Sequence, residues 1–388
     1  MQKTVLVTGG RGFLGRNLLQ GLAESYPRAA FRVLARSNEA QADLLKWFGA
    51  MGGDRMRIIR GDILQSDLGL SPDDSASLSD VAEVWHLAAS TSFDEREKDA
   101  IYQGNVVGTQ TMLALTRKFS KLENFLYIST AYVAGLNPGP VAEDEMPADN
   151  GFRNTYEATK WQAENLVRQS GLPFTIFRPS IIMGNSQTLD SQCERRMIYG
   201  YVLGIYYAIL KECKRQRINF IERWTRNEVL DLDVVRLLGH NSTAKNFVCI
   251  DDVTQSILTV LTQPHAGKTY HLTSASPIYG RDIATVIERS LRVTGMGQGG
   301  DEIADPTPLE RCIMNFTAPF VPYTTHSDPV WRLDNTNAAM GSPNVRKPMD
   351  EDLFSRLVDH FVRNVIFSSQ DNQIDPGSMN PPPATAVA

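Results

Sequence analysis

Tyr156 and Lys160 stand four residues apart in RNTYEATKWQAEN, at the start of a helical pattern. Residues i and i+4 share one face of a helix about one turn apart, so a phenol and an ammonium are aimed into the same space. A phenol with an unperturbed pKa of ~10 moves protons poorly at neutral pH, and a nearby ammonium favours its ionised form. Two hydroxyls, Ser129 and Thr130, close the strand-like run NFLYIST about 26 residues before the tyrosine. A hydroxyl at that point could hydrogen-bond a substrate oxygen as negative charge develops on it, while the phenol moves the proton. A Tyr/Lys pair alone also decorates many solvated helices, so the elements that would position these groups decide between a proton-transfer set and a surface pattern.

Six apolar runs, TVLVT, FRVLA, RMRIIRGD, AEVWHLAA, NFLYIST and FTIFRPS, alternate with helical patterns through the first half of the chain. That alternation predicts an α/β fold, a doubly wound (Rossmann) parallel sheet with helices on both faces. The first junction, TGGRGFLGRNLLQGLAES, passes from a strand through glycines into a helix whose Leu14, Leu18 and Leu22 recur at i+4. Gly9, Gly12 and Gly15 there have the spacing of a dinucleotide fingerprint. Glycines permit the tight turn, let the backbone approach a pyrophosphate and let the helix pack on the strand, while the helix N-terminus favours the anion. Cofactor contacts are therefore expected from Gly9, Arg11, Gly12, Phe13, Leu14 and Gly15.

The second strand ends in VLARSNE, with Arg36 where an acid would grip a ribose 2′-hydroxyl. A guanidinium suits a 2′-phosphate, with Arg11 as a second contact, so NADP (NADPH) is the expected cofactor. Asp62, followed by Ile63 in RGDI, comes just past the third strand, where a carboxylate can accept from an adenine amino group. Leu87, Ala88 and Ala89 end the fourth strand in residues that let a cofactor lie close, and His86 before them reads as a core residue. Asn105 opens a helix packed on the sheet, as a cap or a cofactor contact. An oxidised nicotinamide beside Tyr156 would favour its phenolate further, and Lys160 could also hold the nicotinamide ribose.

At 388 residues, 42% hydrophobic and 21% charged with a net charge of −5, the composition is that of a soluble globular protein with no nucleic-acid partner. Cys193, Cys213, Cys249 and Cys312 form no CxxC pair and adjoin no His cluster, so no metal site or disulfide framework is expected, and free thiols suit the cytoplasm. MQKTVLVTGG reads as a strand and not a signal peptide, and the 14-residue MIYGYVLGIYYAIL is too short to span a bilayer. After Ser180 the alternation stops. Residues 1–180 are expected to form the NADP-binding domain, joined by later segments near 245–275, with 181–367 mostly a smaller substrate-binding lobe. The Pro-rich polar stretch 368–388 is expected to be a disordered tail.

Together, TGxxGxxG, a Ser or Thr after the fifth strand and YxxxK resemble the extended short-chain dehydrogenase/reductase superfamily, over about the first 280 residues. The resemblance implies a catalytic set of Thr130, Tyr156 and Lys160, with Thr130 preferred to Ser129 by register from Gly135. FDEREKDAIYQGNVVGTQTMLALTRKFSKLENFLYISTAYVAG, RPSIIMGNSQT and KNFVCIDDV are similar to fatty acyl-CoA reductases and thioester reductase domains. In that branch the backbone at Pro179, Ser180 and Ile181 would face the nicotinamide. The implied activity is NADPH-dependent reduction of an acyl thioester, carried on coenzyme A or an acyl carrier protein, to the aldehyde or onward to the alcohol. The rivals are a carbonyl reductase or secondary alcohol dehydrogenase of the hydroxysteroid or dihydroflavonol type, a sugar-nucleotide epimerase or dehydratase, and a redox sensor that binds NADP without turnover. Residues 186–240 match no pattern of the branch. Their aromatic helix, ending in Lys211, Lys214, Arg215 and Arg217, reads either as an acyl lid whose basic end meets an acidic carrier or as a core helix with a solvated end. A homodimer would follow the habit of the superfamily.

Overall fold

A computed structural model describes residues 3–52, 55–192, 194–341 and 348–368; Cys193 and the tail expected to be disordered, from residue 369, lie outside them. The first half runs β1 (Thr4–Thr8), α1 (Phe13–Ser25), β2 (Ala30–Ala35), α2 (Asn38–Gly52), β3 (Met56–Arg60), α3 (Pro72–Ala76), β4 (Val81–His86) and α4 (Lys98–Tyr102). A π turn at Gln103–Val107 leads into α5 (Gly108–Thr116), followed by β5 (Asn124–Ile128), α6 (Thr155–Arg168) and β6 (Phe174–Pro179). Next come β7 (Ile181–Met183), α7 (Met197–Arg215), α8 (Phe220–Thr225), β8 (Leu230–Leu237), β9 (Ala244–Lys245) and β10 (Phe247–Cys249). The chain continues through α9 (Ile250–Val260), β11 (Thr269–Leu272), β12 (Ile278–Tyr279), α10 (Gly280–Leu291), β13 (Val293–Gln298) and α11 (Pro308–Thr317), with later short helices that include Glu351–Phe361.

Seven strands form one parallel sheet in the order β3-β2-β1-β4-β5-β6-β11. β1, β4 and β5 are buried at every position, which is why they read as unbroken apolar runs and not as alternating ones. Parallel neighbours require crossover helices, and these cover both faces. On one face Leu18, Leu19 and Leu22 of α1 pack with Val5, Val7, Phe31 and Val33; on the other Met112 and Leu113 of α5 and Ala163 and Val167 of α6 pack with Leu6, Val84, Phe125 and Ile176. From β1 the chain moves outward first to β2 and β3, then in the opposite direction to β4, β5 and β6. The crevice outside the carboxyl ends of β1 and β4 is thus the switch point where such sheets take ligands.

The segment after residue 245 rejoins this layer. α9 lies against α1, where a Cβ added to Gly21 would meet the Leu258 side chain at 2.6 Å, and β11 extends the sheet beyond β6. A separate apolar core unites α7, α10, α11 and Glu351–Phe361, with Val202, Ile205, Ile209, Leu357 and Phe361 fully buried. Of the two readings of the aromatic helix, the core helix is therefore the one the packing supports. Its rise of ~1.5 Å per residue sets Lys211 and Arg215 roughly 20–27 Å from its first residue, Met197, and Arg215 is engaged by Glu212 at 2.5 Å. Among the described residues no helix is long and apolar enough to cross a membrane, and no group of His, Cys, Asp or Glu is arranged to hold a metal.

Candidate active site

The N-terminus of α6 is fixed before its side chains do anything else. Asn154 caps it by accepting from Glu157 N at 3.0 Å, and Glu95 accepts from Thr155 N at 2.8 Å. With that register set, Tyr156 and Lys160 both point inward and are buried at 8% and 2% exposure, which excludes the solvated-helix reading. The strand β5 delivers Ser129 and Thr130 to the same place. Ser129 Oγ donates to Glu164 Oε2 at 2.6 Å, so it is engaged by α6, whereas Thr130 Oγ1 makes a 3.4 Å contact to the Pro179 carbonyl, accepts weakly from Tyr132 N at 3.3 Å and reaches the Tyr156 hydroxyl. One cleft at the β1/β4 switch point brings Thr130, Tyr156 and Lys160 together with Gly9, Gly12, Phe13, Leu14, Gly15, Leu87, Ala89, Pro179, Ser180 and Ile181.

Burial governs the charges here. It pushes the Tyr156 phenol up to about 12, against a downward pull from the Thr130 hydroxyl and the Arg196 guanidinium. It draws Lys160 down to about 7, with Glu164, one helical turn on, pulling the other way. Glu164 would itself be raised by burial, but Arg178, Arg168 and the Ser129 hydroxyl hold it down at about 2. At neutral pH the phenol is thus protonated and the lysine is close to its midpoint, so small changes around Lys160 move its charge. Lys160 Nζ donates to Tyr127 Oη at 2.7 Å and to the Ile128 carbonyl at 2.8 Å, which uses two of the three N–H groups of an ammonium.

The glycine turn fits a dinucleotide. A Cβ at Gly9, whose φ is +74°, would lie 2.6 Å from Ala88 N, and one at Gly15 would lie 2.1 Å from the Gly9 carbonyl oxygen. Only bare backbone fits, and no side chain caps α1 at Gly12, so the amides of its first turn are open to an anion. Ala88 contributes backbone and not lining: its N–H donates to Thr8 Oγ1 at 3.2 Å.

Other expected contacts have partners of their own within the chain. Arg11 turns to α2, where the exposed carboxylates of Asp43 and Glu39 hold it at 2.7 and 3.2 Å. Asn105 is buried and its amide is spent, accepting from Ser90 N at 2.7 Å and donating to Ser90 O and Thr159 Oγ1 at 3.1 and 3.0 Å; it ties the loop after β4 to α6. Asp62 caps its own turn through Leu64 N at 2.9 Å, Ile63 packs beneath Gly108, and neither lines the cleft. Arg36 stands exposed directly after β2. Four residues that sequence reasoning passed over also matter. Arg60 lies beside Ala35 in the β2/β3 register. Thr91, Glu194 and Arg196 line the cleft next to Tyr156, with Arg196 held by Glu194 at 2.7 and 2.8 Å and by Thr91 at 2.9 Å. No local pattern marks the last three, since Thr91 and Arg196 are 105 residues apart in the chain and meet only after folding.

A family model described as male sterility protein matches residues 7–223, more than half of the chain. The chain belongs to the male sterility protein family. Within the extended short-chain dehydrogenase/reductase superfamily this places it in the fatty acyl-CoA reductase-like branch. Fatty acyl-CoA reductase 1 of Xenopus laevis is 34% identical over 224 residues, which cover 46% of this chain and 43% of that protein. The hybrid PKS-NRPS synthetase gkaA of Penicillium citrinum is 34% identical over 193 residues, 47% of this chain and 5% of that protein. This member of the family thus spans less than half the length of the curated relatives it matches. The terminal R domain from the myxalamid PKS-NRPS pathway shares its fold, with a TM-score of 0.69 at 24% identity over 94% of this chain and 92% of that one.

Proposed function

We propose that this protein is an NADPH-dependent reductase of acyl thioesters. The observation that carries the reading is the convergence of Thr130, Tyr156 and Lys160 on one cleft beside a glycine turn that admits only backbone. The family's acyl-CoA reductase and PKS-NRPS relatives support a thioester over a ketone or sugar nucleotide. The Gly9–Gly15 turn and the first turn of α1 would hold the nucleotide, whose chemistry when bound would be hydride donation to the thioester carbonyl carbon. The chain does the rest. Thr130 and Tyr156 hydrogen-bond the carbonyl oxygen as it gains charge, and Tyr156 gives it a proton, forming a hemithioacetal. Breakage of the C–S bond then releases aldehyde and thiolate as the hemithioacetal hydroxyl returns its proton to Tyr156, and the thiolate takes a proton from solvent to leave as thiol. Lys160 keeps the developing phenolate in check through its charge.

The deciding experiment follows nicotinamide absorbance and thiol release with purified protein, NADPH or NADH, and acyl-CoA thioesters of several lengths beside the matching aldehydes. NADPH oxidation matched by thiol release supports the reading. Turnover of free carbonyls with every thioester inert sinks it in favour of a carbonyl reductase.

For the cofactor, exposed Arg36 and its neighbour Arg60 are the groups read as meeting a 2′-phosphate. Arg36→Ala should raise the KM for NADPH about tenfold or more, the worth of one charge-assisted hydrogen bond, and leave that for NADH unchanged. Equal effects on the two cofactors would remove Arg36 from that role.

A further inference from the structure

Behind the cleft lies a buried polar cluster that the mechanism above does not use. Tyr127, the fourth residue of β5, is 1% exposed, yet its hydroxyl is the partner of Lys160 Nζ at 2.7 Å, and the ammonium also sits 4.3 Å from the centre of the same ring. The ring stacks on the imidazole of His86 at 5.8 Å and 28°. His86 is pinned in turn, with Nδ1 2.8 Å from Thr8 Oγ1 and Nε2 3.1 Å from Thr109 Oγ1, and Thr109 donates to the Asn105 carbonyl at 2.6 Å. With Thr109's proton committed to that carbonyl, Nε2 must be the donor and Nδ1 the acceptor from Thr8, so the tautomer follows from the network. Thr109 also lies against the Tyr127 hydroxyl. The hydrogen bonds converge on Thr109 and Asn105, both buried, which suits a rigid support.

We propose that Tyr127 is a positioning residue that holds Lys160 in place and in its charged form, and so sets the pH range over which Tyr156 acts. The inference rests on the Tyr156–Lys160 assignment made under the proposed function. A neutral phenol suits this role because it accepts from an ammonium, and burial keeps it from ionising, so it adds no charge of its own. The groups that face Lys160 are few. Tyr127 and the Ile128 carbonyl come from β5, Glu164 and Tyr156 from α6, and His86 from β4 is kept neutral by burial. Glu164 is the one anion of this set, and it is shared with Ser129, Arg168 and Arg178. Because burial, opposed by Glu164, leaves Lys160 close to its midpoint at neutral pH, each neutral acceptor weighs on its charge.

Tyr127→Phe keeps the ring and its stacking and removes one acceptor. The sign is fixed: the charged form loses support, Lys160 gives up its proton at lower pH, and activity that needs the ammonium fails earlier as pH rises. The basic limb of kcat/KM for NADPH-dependent thioester reduction should move down by about one pH unit, while the plateau below it stays within about threefold of the parent. An unmoved limb, or a profile lowered equally at every pH, overturns the proposal. A second readout needs no turnover. The Lys160 ammonium, followed by 15N NMR and assigned by its absence in Lys160→Met, should titrate at lower pH in Tyr127→Phe than in the parent; an unshifted titration also overturns the proposal. Should the parent reduce no thioester, the assignment of function fails while this titration still decides the role of Tyr127. If Tyr127→Phe does not fold, Tyr127→Gln supplies an amide acceptor and should hold the Lys160 titration near the parent's, and a large shift there counts against the idea.

Discussion

Replacing Tyr156 by phenylalanine should lower thioester turnover by about 10²–10⁴-fold, the range that a positioned proton donor contributes, while the Kd for NADPH stays within about twofold. The two halves of this expectation come from different parts of the cleft. The ring of Tyr156 packs 5.4 Å from Phe93, a contact phenylalanine retains, so the apolar wall and the start of α6 stay in place. The cofactor cradle is backbone of the Gly9–Gly15 turn, which does not touch the phenol oxygen. What disappears is the hydroxyl proposed to protonate the carbonyl oxygen, and burial keeps it protonated at neutral pH, the form that role needs. Thr130→Ala should cost less, since it removes a hydrogen-bond donor but leaves the proton source. Steady-state rates with a thioester, set beside cofactor binding followed by fluorescence, test both. Turnover of Tyr156→Phe within a few-fold of the parent would show that the proton comes from elsewhere.

Why some of this was legible in the sequence and some was not follows from the range of the interactions concerned. The sheet could be read because its strands are buried on both faces and so appear as continuous apolar runs, and the glycine turn because its chemistry is local. Tyr156 and Lys160 were readable for the same reason: four residues on a helix fix their relation before any tertiary contact forms. Residues engaged elsewhere share the opposite property. Arg11 and Asn105 have suitable side chains, but type does not give direction, and the nearest partners, Asp43 for one and Ser90 for the other, come from elements whose approach no spacing reveals. The same applies to Arg196, whose partner Thr91 follows β4 while it opens α7. The aromatic run of α7 was ambiguous because a helix apolar on most of its faces has no preferred side until its neighbours are known.

Glu164 provides the largest expected effect on stability. Glu164→Ala should destabilise the fold by about 3–5 kcal/mol, because it leaves the guanidinium of Arg178 buried without its counter-charge. That side chain has 0% exposure, and it reaches Glu164 through Nε at 3.1 Å and Nη2 at 2.6 Å; its remaining contacts, to the carbonyls of Ala142 and Glu145 and to His271, are all to neutral groups. Ser129 and Arg168 would lose a partner too. The midpoint of urea unfolding should fall with its slope unchanged, and a loss below about 1 kcal/mol would mean that the cluster contributes no net stability. The pH dependence has a definite sign. Glu164 is held at about 2 in the folded chain, below the ordinary carboxylate value of 4.5, so its contribution is complete above that value and is lost as pH falls from there toward about 2. Glu164→Gln should flatten that acid loss. The same variant should also bring the activity's basic limb to lower pH, since the Glu164 charge is what raises Lys160 against its burial. A structural anchor and an electrostatic support of Lys160, the lysine proposed to act in catalysis, would thus be one carboxylate, and a variant that flattened the acid loss without moving the limb would separate the two roles.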